Sequence, residues 1–271
     1  MINITEFENE LLEMMEKSRE DYGNNLFNDP NFILDALKTW YEVGEDIDQL
    51  NHIYELIPES MWDSWSFTEK IIEMKDEDMI NNGYDALIYE NIPDSFWKNK
   101  NNALRAIHLI MSFERYNNYE IFPSSLWEDK DIALEMVNLD WSSMMEVPMK
   151  YKLEEEFVLA ALDNAEARMQ DSWNSDDYHV RPMEPEEVLE DIFSEEYEYI
   201  PKSLNSNKEL IIKILERYDS FFYGHKVIFN WIDKSLWSNK EFVLKVLNIN
   251  EEAIDFVDDK LKSDPDIQQY L

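Results

Sequence analysis

Cysteine is absent from this 271-residue chain. Disulfides, zinc–thiolate sites and thiol nucleophiles are therefore excluded, and the composition fits a reducing compartment. Glycine is nearly absent too, with four in the whole chain. A β-protein of this size needs many turns with positive φ, and phosphate-cradling loops need clustered glycines. Neither is provided for, so helix is the expectation. No apolar run reaches the roughly 18 residues of a membrane span. Residues Met1–Glu8 carry neither a basic region nor an apolar core, so no secretory signal is expected. The expected setting is the cytoplasm of a bacterial cell, with the chain either resident there or supplied by a phage or mobile element.

Positive charge is also scarce. Lys and Arg total 24 against 60 Asp and Glu, a formal net charge of −36. Direct contact with nucleic acid or an anionic membrane needs clustered cations, so neither is expected. Hydrophobic residues at 44% and aromatics at 14% nonetheless supply enough apolar surface for a core.

What the chain does hold is a repeated phrase. It reads Ile57-Pro58-Glu59-Ser60-Met61-Trp62, Ile92-Pro93-Asp94-Ser95-Phe96-Trp97 and Phe122-Pro123-Ser124-Ser125-Leu126-Trp127. Weaker copies stand at Val147-Pro148 and Ile200-Pro201-Lys202-Ser203-Leu204. A copy without proline is Ile232-Asp233-Lys234-Ser235-Leu236-Trp237, and a degenerate one is Val257-Asp258-Asp259-Lys260-Leu261. An apolar helical run follows each copy, as in Asp131–Val137, Glu156–Leu162, Glu209–Leu215 and Glu241–Leu247. Proline stops the preceding helix, a polar residue caps the next, and the tryptophan folds back as a plug.

The prolines of the phrase, from Pro58 to Pro201, lie 35, 30, 25 and 53 residues apart. That spacing suits stacked helix–turn–helix units. The expected fold is all-α, a right-handed, α-solenoid-like stack of about six to seven units. Its segments are 1–56 (N-terminal helices and a partial repeat), 57–167 (repeats), 168–187 (an acidic insertion) and 188–271 (C-terminal repeats). The insertion reads as loop by composition, and residues 154–198 around it hold 16 acidic and 2 basic residues.

The runs Pro123–Leu134 and Lys234–Leu244 resemble the DUF4116 type of repeat, in which a leucine, two residues, Asp-Lys-Glu, an aromatic and Val-Leu recur between short helices. This chain differs in its turn prolines, its extra tryptophans and its few glycines. That family has no assigned activity, so the resemblance implies a fold and no mechanism.

No catalytic constellation is legible. The histidines His52, His108, His179 and His225 are far apart, and no metal-ligand spacing joins them. His108 sits in an apolar run and reads as a core residue. The loop Asp78–Gly83 fails as a calcium site, because Ile80 and Tyr89 stand where oxygen ligands belong. No cofactor, metal or catalytic residue is assigned.

The remaining candidates are partner-binding residues. On the N-terminal segment Phe7, Leu11, Met14 and Met15 fall on one helical face and Glu6, Glu10, Glu13 and Glu20 on another. In the acidic insertion stand Asp171, Trp173, Asp176, Asp177, Glu184, Glu186 and Glu187, with Trp173 as a possible interface anchor. Carboxylates neighbouring on a helix sit roughly 5–6 Å apart at Cβ, comparable with the charge spacing of a nucleic-acid backbone. The expectation is a non-enzymatic module engaging a basic protein, such as a nuclease or another nucleic-acid-binding protein. An inhibitor of the anti-restriction, anti-CRISPR or toxin-immunity type would act in this way. The rival readings are a helical-repeat scaffold without mimicry and an enzyme whose groups converge only in space.

Overall fold

The computed structural model describes residues 29–43, 47–74, 85–113, 119–174, 182–194, 196–218 and 225–271. Among the described residues every regular element is an α- or 3-10 helix, and there is no strand. The chain divides into two compact units, Met1–Leu126 and Trp127–Leu271.

The repeated phrase folds the same way seven times. Its central residue gives up its carbonyl to the backbone N–H three residues on. The pairs are Pro58 with Met61 (2.8 Å), Pro93 with Phe96 (3.0 Å), Pro123 with Leu126 (2.9 Å) and Pro148 with Tyr151 (2.8 Å). Pro201 with Leu204 (3.0 Å), Asp233 with Leu236 (2.9 Å) and Asp258 with Leu261 (2.8 Å) complete the series. Proline suits this place because its ring sets φ and its missing N–H would lie outside the helix anyway. The two aspartates adopt the same backbone, with φ −58° and ψ 129° at Asp233 and φ −55° and ψ 131° at Asp258, against −58° and 133° at Pro201. The residue before the turn is buried in every copy: Ile57, Ile92, Phe122, Val147, Ile200, Ile232 and Val257.

Six residues past the turn stands the residue that opens the next helix: Ser64, Asn99, Asp129, Glu154, Asn207, Asn239 and Asp264. Each offers its carbonyl to the N–H four residues on, for example Ala103 to Asn99 and Val243 to Asn239, both at 2.9 Å. Five also cap with their side chains. Asp129 accepts from Asp131 and Ile132, Asn239 from Phe242, Asn207 from Leu210, Asn99 from Asn101 and Asn102, and Asp264 from Asp266. Such caps each contribute about 1 kcal/mol.

The core sits on the inner faces of these helices. In the first unit Ile71, Ile72, Ala103, Ala106, Ile107 and Ile110 are fully enclosed. In the second, Ala133, Met136, Val137, Phe157, Val158, Leu162, Ile211, Ile214, Val243 and Val246 are equally enclosed. The tryptophan four residues past the turn is a plug as expected: Trp62, Trp97, Trp127 and Trp237 are at most 5% exposed. Trp237 packs edge-on against Phe229 and Phe242, with ring centroids 5.8 and 6.0 Å away.

Two sequence expectations are corrected. Composition marks Asp171–Asp177 as loop, yet Arg168–Asn174 is the end of the 20-residue helix Glu155–Asn174. Leu162, Ala165 and Met169 extend its buried stripe beneath a polar outer face, which an average over composition hides. Pro185 likewise opens the helix Pro185–Ile192, where a first-turn proline is well tolerated. His108 is exposed, because the inward positions of helix Lys100–Phe113 go to Ala106, Ile107 and Ile110.

Candidate partner-binding surface

Neighbouring copies of the turn are joined in the second unit by backbone and by charge. Asp233 N–H donates to Asn205 O at 2.9 Å, and Asp258 N–H donates to Trp237 O at 3.1 Å. In both cases the turn residue of one copy reaches the residue four past the turn of the copy before it. Proline has no N–H and cannot make this link. The same register governs two lysines, each standing seven residues past its turn. Lys130 pairs with Glu154 (2.5 Å) and Glu156, and Lys240 pairs with Asp264 (2.8 Å) and Asp266 (2.7 Å). Those carboxylates stand six and eight residues past the next turn. Both lysines are held above their ordinary pKa, chiefly by hydrogen bonds to these carboxylates.

Further cations follow suit. Lys150 pairs with Glu128 (2.6 Å), Lys213 with Glu155 (2.7 Å), Arg217 with Asp163 (2.5 Å) and Arg168 with Asp140 (2.6 Å). The Tyr218 hydroxyl donates to Asp163 at 2.5 Å, and burial together with that bond pushes its pKa well up. Solvent screening makes exposed pairs of this kind weak contributors to stability. Their larger effect is on the field. They hold these cations between copies, while Asp171, Glu184, Glu186, Glu187, Glu190, Asp191, Glu196, Glu209, Glu216, Glu251, Glu252 and Asp255 stay exposed.

The sequence-nominated residues divide three ways. Glu6, Glu10, Glu13, Glu20, Asp176 and Asp177 lie outside the described residues. Asp171 and Trp173 are exposed on the last turn of helix Glu155–Asn174, and Trp173 retains 44% of its surface. Trp173 Nε1–H donates to Met183 O at 2.9 Å, and Met183 N–H donates to Ser172 Oγ at 3.0 Å. These two bonds bring Glu184, Glu186 and Glu187 to the same end of that helix. Glu186 and Glu187 occupy the first turn of Pro185–Ile192, where the helix dipole favours negative charge.

Sequence reasoning missed Lys152. It occupies the place that Trp62, Trp97, Trp127 and Trp237 hold in their own copies, and it is only 6% exposed. Its ammonium donates to Met145 O and Glu198 O, both at 3.3 Å, and desolvation lowers its pKa. Aligning the turns would have flagged a lysine in a tryptophan position. Around it stand Met145, Met149, Leu153 and Tyr197, each between 44% and 51% exposed.

Among the described residues no three carboxylates or imidazoles come together as a metal site. No described helix is long and apolar enough to cross a membrane. A cavity of about 540 Å³ is lined by Lys202, Lys234, Glu190, Asp233, Phe193 and Trp231 among others. Its charges are mixed and no nucleophile–base pair lines it. The chain matches no protein-family model, no curated protein and no solved structure.

Proposed function

We propose that this chain is a non-enzymatic binding module whose outward carboxylates engage a basic protein and block a cleft made for nucleic acid. On this reading its copies stack as a right-handed, α-solenoid-like array related in pattern to the DUF4116 type of repeat. It acts in the cytoplasm, in the manner of anti-restriction, anti-CRISPR or toxin-immunity inhibitors.

One observation carries the reading. Six cations of the second unit, Lys130, Lys150, Arg168, Lys213, Arg217 and Lys240, are engaged by carboxylates of adjacent copies, while a larger set of exposed carboxylates stands mostly on helices. A rigid array of like charge carries a repulsion that a cationic partner relieves, and it speeds encounter at low salt. The test is capture of basic nucleic-acid-binding proteins on the immobilised full chain. Binding should be firm at low salt and lost by about 0.5 M, where screening confines charge to a few ångströms. Retention unchanged at that salt would rule the mimic out. A salt-independent complex would favour the scaffold reading.

A further inference from the structure

The residues around Lys152 form a second kind of surface. Lys152 is itself buried, and its Nζ lies 3.3 Å from both Met145 O and Glu198 O, so the 145–153 and 197–199 segments meet there. Met145 (51% exposed), Met149 (48%), Leu153 (44%) and Tyr197 (44%) are four of the six exposed large hydrophobics among the described residues. Tyr197 leans on buried Tyr199 at 5.6 Å, and Tyr199 packs edge-on against Trp141 at 5.0 Å, which anchors the segment to the core. Exposed charged residues next to these in the chain include Glu146, Glu196, Glu198 and Lys150, and Lys150 is paired with Glu128. The rim is therefore negative.

We infer that this cluster is a docking site for a basic amphipathic helix of the protein partner, with leucine-like side chains on the methionines and cations on the glutamates. The inference rests on the proposed function, because it locates where that basic partner adds apolar contact. Methionine suits the task, since its flexible thioether adapts to varied apolar surfaces. An amphipathic guest helix presents apolar anchors at i, i+3/i+4 and i+7 to such an apolar surface, and its cations to an acidic rim. A second copy of this chain or an anionic lipid surface would meet repulsion at the same rim.

The test uses the full chain and two labelled peptides of about 18 Leu and Lys residues. One places its leucines on a single helical face, and the other has the same composition scrambled. The facial peptide should bind about tenfold more tightly than the scrambled one. Met149→Ser with Leu153→Ser should erase that advantage, with the far-UV circular dichroism unchanged. Tyr197→Ser, on the other segment, should reduce it by several-fold. Equal binding of both peptides, released together by salt, would overturn the docking site and leave the acidic-surface reading standing. Failure of both peptides to bind at low salt would overturn both readings. A facial preference that survives in all these variants would overturn the location.

Discussion

Replacing Asp233 by proline tests how adjacent copies are held together. Proline fits the site, since Asp233 already has φ −58° and five other copies carry proline there. The substitution removes two things. One is the 2.9 Å backbone link from Asp233 N–H to Asn205 O, a net contribution of about 0.5–1.5 kcal/mol. The other is the side-chain cap, in which Asp233 accepts from Ser235 N–H at 2.8 Å and Ser235 Oγ–H at 2.6 Å, about 1 kcal/mol. Against these, proline restricts the unfolded chain and returns about 0.4–1 kcal/mol. The net expectation is a loss of about 0.5–2 kcal/mol. Asp233→Ala isolates the cap and should cost about 1 kcal/mol. Urea unfolding read by tryptophan fluorescence reports on this region, since Trp231 and Trp237 flank the turn. The midpoint should fall below wild type in both variants with an unchanged slope. A proline variant at least as stable as wild type would refute the idea that aspartate copies stitch neighbours together.

Three other expectations follow from single side chains. Trp237→Ala should cost about 3–5 kcal/mol by emptying a plug site, whereas Trp173→Ala, at a half-exposed position, should stay within about 1 kcal/mol; urea midpoints compare them. Lys152 has a folded pKa below its ordinary 10.5, so the unfolded chain binds more protons in the window between the two values. Stability should rise with pH there relative to Lys152→Met, and a flat difference between the two proteins would refute the desolvation account. Glu198 has φ 47°, a left-handed conformation that glycine adopts freely. Glu198→Gly should therefore be neutral or slightly stabilising, while Lys245→Gly inside a helix should cost about 1 kcal/mol in the same denaturation assay.

The helical class was legible because scarce glycine and a recurring turn phrase constrain the backbone locally. The plugs at Trp62, Trp97, Trp127 and Trp237 were readable for the same reason: a bulky residue at a fixed offset from a turn has one place to go. Asp171 and Trp173 were misplaced in a loop because the stripe Leu162, Ala165 and Met169 that carries their helix onward is thin, and polar residues outnumber it. The lacing of Lys130 and Lys240 depends on contacts 24 and 26 residues away in sequence, which no local pattern encodes. Lys152 was hidden by the assumption that a lysine faces water; only its register against the tryptophans reveals it.

The most direct measurement of the central claim is a displacement experiment on a basic DNA-binding partner recovered at low salt. Labelled duplex DNA is bound to that partner, and the full chain is added at increasing ionic strength. The account predicts that the chain releases the duplex stoichiometrically at low salt and progressively less as salt rises. Duplex and chain resident together on the partner, or displacement indifferent to salt, would contradict it.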